Sequence, residues 1–211
     1  MLRLAVGSVL AGVFLGPAAA LLGLSVLVNS AAQGSCLPNS IGSAAPGSGD
    51  SVADPAVPEA SRVVFPLPVG SWVRTSGFGM RVHPITGVRK LHTGVDYAAP
   101  AGTRIMSVAD GRVAFAGPAA GYGNLILITH TVGGRVVASG YAHMASSGIH
   151  VGVGDTVVAG QHIGDVGSTG YSTGSHLQLE IRPGGANGAP VDPEPWLASH
   201  GAVDLDATGV V

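Results

Sequence analysis

His176-Leu177-Gln178-Leu179-Glu180 and His92-Thr93-Gly94-Val95-Asp96 are the stretches that decide how this chain is read. On an extended strand, successive side chains point to opposite faces. The first stretch then puts His176, Gln178 and Glu180 on one face. Leu177, Leu179 and Ile181 fall on the other, as in a strand with one side in a core. The same period puts His92 and Asp96 on a shared face of the second stretch. Imidazoles and a carboxylate gathered on facing strands are the pattern of a metal site with an open position. Gln178 is the odd member, because an amide is a poor ligand for zinc. Gly94, between His92 and Asp96, leaves room for another backbone to approach closely.

Around these stretches, short runs of β character recur at 104–109, 112–116, 125–130, 135–142, 156–158 and 176–182. Turn residues such as Ala109-Asp110-Gly111 and Gly133-Gly134 separate them. No run of ten or more residues in this part carries a helical period. With 34 glycines in 211 residues, the composition favours many short strands joined by tight turns. The expected fold is all-β, mostly antiparallel, and sandwich- or barrel-like. Two turn units, 101–111 and 153–164, resemble each other and the units of biotinyl/lipoyl carrier domains. A carrier needs a lysine at the hairpin tip. The single lysine, Lys90, lies outside both units, so their shared shape is scaffold and not activity.

Residues 4–28 carry no charge and follow Arg3. Such a stretch is long enough to cross a hydrocarbon core of about 30 Å as a helix. It reads as an uncleaved transmembrane anchor or as a signal segment cleaved near Ser30-Ala31-Ala32. No Lys or Arg follows Arg3 until Arg62, which keeps the N-terminus inside and exports the rest. The Gly/Ser/Ala/Pro-rich residues 33–61 read as a mobile linker. The expected organisation is an anchor or signal segment at 1–32, the linker at 33–61, a domain at 62–198 and a flexible tail at 199–211. A formal net charge of −2 gives nucleic-acid binding no support. The lone Cys36 excludes an intramolecular disulfide and any cysteine-based zinc site. It reads as a spare linker thiol, with lipidation or an intermolecular disulfide as alternatives.

Several motifs follow one another in order. They are Ser76-Gly77-Phe78-Gly79-Met80-Arg81-Val82-His83-Pro84, then the His92–Asp96 stretch, Gly121-Tyr122-Gly123-Asn124, Tyr141-Ala142-His143-Met144, Gly167-Ser168-Thr169-Gly170 and the His176–Glu180 stretch. The ordered set resembles the M23 family of zinc metallopeptidases, the lysostaphin/LytM-type peptidoglycan endopeptidases, over residues 74–195. The resemblance implies a LytM-type domain holding Zn(2+) through His92 and Asp96 of the H-x-x-x-D motif. The third ligand position, the second histidine of H-x-H, is occupied here by Gln178. The resemblance also implies catalytic roles for His143 and His176, on either side of the zinc-activated water. Zinc lowers the pKa of a bound water from about 16 to about 7 and polarises a scissile carbonyl, and neighbouring imidazoles can exchange the protons. Glu180 is expected to support the site, and Arg81 and His83 to brace their loop. His83, His130, His150 and His162 are the histidines available to replace the missing ligand.

Two functional readings follow. In the first, the chain is a peptidoglycan hydrolase of the cell envelope, tethered to the cytoplasmic membrane, or secreted if the first segment is cleaved. It would cut peptide bonds in stem or cross-bridge peptides, for wall remodelling or for passage of a secretion or conjugation apparatus. In the second, the domain is a degenerate, non-catalytic module that keeps the groove and binds wall peptide or regulates another wall hydrolase.

Overall fold

The computed structural model describes residue 57 and residues 59–210. The charge-free segment 4–28, Cys36 and nearly all of the linker lie outside these residues, and so does the expected anchor or signal helix.

Seven strands form one sheet. Their order is β1 (Val73–Ser76), β4 (Val95–Ala98), β11 (His176–Pro183), β8 (Arg135–Met144), β7 (Gly123–Val132), β6 (Gly111–Ala119) and β9 (Thr156–Val157). Two smaller sheets pair β2 (Gly79–Val82) with β3 (Arg89–His92), and β5 (Arg104–Met106) with β10 (His162–Asp165). Every ladder between these strands is antiparallel. Among the described residues one short helix, α1 (Pro193–Ser199), begins where Asp192 caps the Glu194 N–H and Pro193 supplies a preset φ. The mostly antiparallel β architecture is as expected.

Alternation on β11 also works as expected. Leu177, Leu179 and Ile181 are fully buried, and the two leucines pack with Val95, Tyr97, Ile126, Ile128 and Tyr141. Burying each such side chain contributes about 2 kcal/mol. The other face of β11 carries His176, Gln178 and Glu180. The two similar turn units pair with each other, as β5 and β10, with Ile105 opposite Gly164 and Arg104 opposite Asp165. Their Ile105 and Ile163 join the same core.

Three expectations change. First, His92 and Asp96 do not share a strand. β3 ends at His92, Thr93-Gly94 turns the chain, and β4 resumes at Val95 in a different sheet. Gly94 permits this crossing, because a side chain there would run into the Leu179 carbonyl. Second, the 104–109 run stops pairing at Met106, whereas β6 extends over nine residues. Third, the residues read as a flexible tail return to the domain. Phe65 N–H donates to the Val203 carbonyl at 2.9 Å, Val69 N–H to the Leu205 carbonyl at 2.8 Å, and Leu205 is fully buried. At the other end of the domain, Thr131 Oγ1 donates to the Val57 carbonyl at 3.0 Å.

Candidate active site

The site is assembled from three imidazoles delivered by three elements: His92 at the end of β3, His143 near the end of β8 and His176 at the start of β11. Each Nδ1 meets a backbone carbonyl: Gly77 at 2.8 Å, Thr169 at 2.7 Å and Gly174 at 2.8 Å. A carbonyl only accepts, so each Nδ1 carries a proton, and in the neutral form of such a ring Nε2 is a lone pair. Burial lowers the pKa of His143, which keeps its ring neutral near pH 7.

β8 presents His143 through a bulge. Asn124 pairs with Met144 and Ile126 with Tyr141, so β8 carries an extra residue there. His143 has a φ of 63°, and among the described residues it is the one non-glycine residue with positive φ. Bulges re-aim side chains in this way beside functional sites.

Asp96 stands directly opposite Gln178 across β4 and β11. Arg81 of β2 donates to Asp96 Oδ2 at 3.2 Å. The other oxygen, Oδ1, lies 3.0 Å from His92 Nε2 and 3.7 Å from His176 Nε2. The first separation is that of an ion pair. However, the Nδ1 proton of His92 is committed to Gly77, so in the neutral ring Nε2 faces Oδ1 lone pair to lone pair. His92 Nε2 and Asp96 Oδ1 are both fully buried and have no hydrogen-bond partner. Two buried acceptors in contact need a cation between them.

Gln178 is oriented from behind. Its Nε2 donates to Glu180 Oε1 at 3.1 Å. Glu180 is fully buried and also accepts from the Tyr122 hydroxyl at 2.9 Å, from the Thr93 hydroxyl, and from Arg182 at 2.6 and 2.9 Å. A carboxylate beside Arg only accepts, which fixes the amide with Oε1 away from Glu180. Gln178 Oε1 lies 3.3 Å from His143 Nε2, and the His143 and His176 rings are 4.7 Å apart. All five residues, with Arg81, line one cleft.

Residues 90–193 match Peptidase family M23. At 34% identity the chain also covers 92% of the catalytic domain of lysostaphin from Staphylococcus simulans, using 60% of its own length, with a TM-score of 0.54. The chain belongs to peptidase family M23. It is similar to a zinc containing peptidase from Vibrio cholerae, at 33% identity and a TM-score of 0.55, over 63% of this chain and 39% of that one. It is 47% identical over 119 residues to the DD-carboxypeptidase/endopeptidase Mpg of Neisseria meningitidis, which is 56% of this chain and 26% of Mpg. The chain thus spans about a quarter of that curated relative's length.

Within this M23 domain, the cleft brings together all five residues singled out from the sequence. The four alternative histidines do not complete the ligand set. His83 lines the cleft, but its Nδ1 accepts from the Ile85 and Thr86 N–H groups. His130 is buried between the Asp110 carbonyl and Ser139. His150 and His162 both bind Asp165. The sequence reading missed the Arg81 contact to Asp96, the Thr93 and Tyr122 hydroxyls, and the three carbonyl cradles. Of these, Arg81, Thr93 and Tyr122 lie within the ordered motifs. The carbonyls have no side-chain signature.

Proposed function

We propose that the domain hydrolyses peptide bonds in peptidoglycan stem or cross-bridge peptides, with zinc held by His92 Nε2, Asp96 Oδ1 and Gln178 Oε1. One observation carries this reading: the buried, unpartnered pair of His92 Nε2 and Asp96 Oδ1 at 3.0 Å. Zinc bound there supplies a Lewis acid that polarises the scissile carbonyl and acidifies water.

The chain's own residues do the rest. Arg81 holds one oxygen of Asp96 and leaves the other free for the cation. Gly77 and Glu180 fix His92 and Gln178 in their ligating orientations, as the groups behind metal ligands do. The Gln178 amide copies a ligating imidazole: an N–H faces the buried carboxylate and a lone pair faces forward. Its oxygen is a harder, weaker donor to zinc than imidazole nitrogen. His143, kept neutral by burial and with Nε2 facing the cleft beside Gln178 Oε1, takes the proton of the attacking water once Gln178 Oε1 turns to the cation. The imidazolium so formed at His143 steadies the developing oxyanion or returns that same proton to the leaving amine, and His176, whose ring lies 4.7 Å away, is the second imidazole able to take the water proton. The same reading places the domain outside the cytoplasmic membrane. The charge-free residues 4–28 support anchorage or export, and an envelope or secretion-apparatus partner is consistent with that position.

The test is digestion of purified sacculi by the full-length protein with added zinc. Wild type is expected to release wall peptides, with activity lost to chelator and in Asp96→Ala. Intact sacculi with wild type, together with cleavage by Gln178→His, would establish the non-catalytic wall-binding module instead.

A further inference from the structure

A second set of metal-type side chains lies outside the cleft. His150 follows the end of β8, and His162 and Asp165 stand at the two ends of β10. Among the described residues, this is the one trio of His, Cys, Asp or Glu side chains whose ligand atoms all lie within 4.8 Å of one another. We propose that His150, His162 and Asp165 bind one borderline divalent cation of the zinc class, independently of the cleft.

The donor set fits. Two imidazoles and one carboxylate, with positions left for water, suit zinc and its neighbours in the first transition row. His150 Nε2 lies 2.7 Å from Asp165 Oδ2, and His162 Nε2 lies 2.9 Å from Asp165 Oδ1. The two rings meet edge to face at 4.7 Å, so both Nε2 atoms already converge on one carboxylate. Arg104, the cross-strand neighbour of Asp165, does not compete for it. Its guanidinium donates to the Ala207 carbonyl at 2.8 Å.

The backbone beneath the trio is also set in advance. His150 N–H donates to the Ile163 carbonyl at 3.0 Å, Asp165 N–H to the Gly148 carbonyl at 2.9 Å, and Ala145 N–H to the Asp165 carbonyl at 3.0 Å. Little ordering is left for binding to impose. Without a cation, each ring donates Nε2–H to Asp165. With one, each ring carries its proton on Nδ1 and offers Nε2 to the metal. The cation would clasp residues 145–150, which follow His143, to β10. The chain after β10 runs on to Thr169, whose carbonyl holds the His143 ring.

Zinc alone is the probe. The full-length protein, purified in detergent, carries Asp96→Ala so that the central carboxylate of the cleft is absent. This protein is expected to retain one equivalent of zinc after desalting. Adding either His150→Ala or His162→Ala is expected to remove it. Zinc content unchanged by both substitutions overturns the proposal. So does an Asp96→Ala protein with native circular dichroism that retains no zinc. Ring-nitrogen spectra of the wild-type protein need no substitution. On zinc addition, the His150 and His162 Nε2 signals should move from protonated to metal-bound positions, and unmoved signals exclude the site.

Discussion

The cleft and the His150–Asp165–His162 cluster use the same side chains in opposite ways. At Asp165 each carboxylate oxygen already meets an imidazole Nε2. Partial burial raises the Asp165 pKa, but hydrogen bonds from His162 and His150 outweigh it and hold the carboxyl below its usual range. The cluster satisfies itself. In the cleft, backbone carbonyls take the Nδ1 protons and Arg81 takes one oxygen of Asp96. What remains is a set of lone pairs facing a common space. The groups behind the side chains, more than their spacing, make the cleft the chemically poised site.

Removing that backing is the hardest test of the contrast. Glu180→Ala strands the Arg182 charge and leaves donors on Gln178, Thr93 and Tyr122 without their acceptor. Breaking a buried pair in this way costs about 3–5 kcal/mol. Asp165, with 25% of its side chain exposed, is held by partly exposed hydrogen bonds from His150 and His162. Asp165→Ala in metal-free protein should cost about 1 kcal/mol or less. Urea unfolding of both variants makes the comparison, and equal losses would break it.

Histidine burial sharpens the same contrast through pH. His130 is fully buried, and desolvation lowers its pKa from 6.5 to about 4. The folded state therefore binds fewer protons than the unfolded chain between those values. The contribution is intact above pH 6.5 and is lost as pH falls toward 4, by about 3 kcal/mol in total. Unfolding free energies at pH 7 and pH 4.5 should show most of this drop in wild type. In His130→Gln the drop should shrink, because no proton can be taken up at that position.

Gln178→His tests the amide as a stand-in for imidazole. If Glu180 orients whatever occupies position 178, the new ring donates Nδ1–H backwards and offers Nε2 forwards. Zinc affinity should rise by about tenfold or more, the scale on which such ligand and support changes act. Competition with a chelator of known affinity reads it. Unchanged affinity would mean that Gln178 does not reach the cation.

The sequence already carried the strands and residues whose side chains speak for themselves. β11 announced both its faces through His176, Gln178 and Glu180 against Leu177, Leu179 and Ile181. The runs that became β6, β7 and β8 were legible from β-branched residues between glycine turns. By contrast, β1 to β4 are four residues each, too short for a period of two to single them out. Pairing with neighbours, not their own pattern, makes them strands. His150 and His162 sit on separate segments, and only the bridge between Ile149 and Gly164 brings them together. The carbonyls behind His92, His143 and His176 belong to loops whose paths no local pattern specifies.

The smallest expected effect lies at the bulge. An L-residue in the left-handed region carries a penalty of about 1 kcal/mol or more, which glycine does not. His143→Gly and His143→Ala both remove the ring, so both should abolish wall digestion. They differ in backbone: the glycine variant sheds the strain at φ 63°, while alanine keeps it. Glycine also gains freedom in the unfolded chain, which offsets part of the benefit. The glycine variant should still be the more stable of the two, by about 0.5–1 kcal/mol. That result would show that the scaffold holds His143 against its own backbone preference in order to aim Nε2 into the cleft. Equal stabilities would instead mean that the His143 N–H bond to the Tyr122 carbonyl, at 2.9 Å, and its neighbours make the left-handed turn favourable whatever side chain it carries.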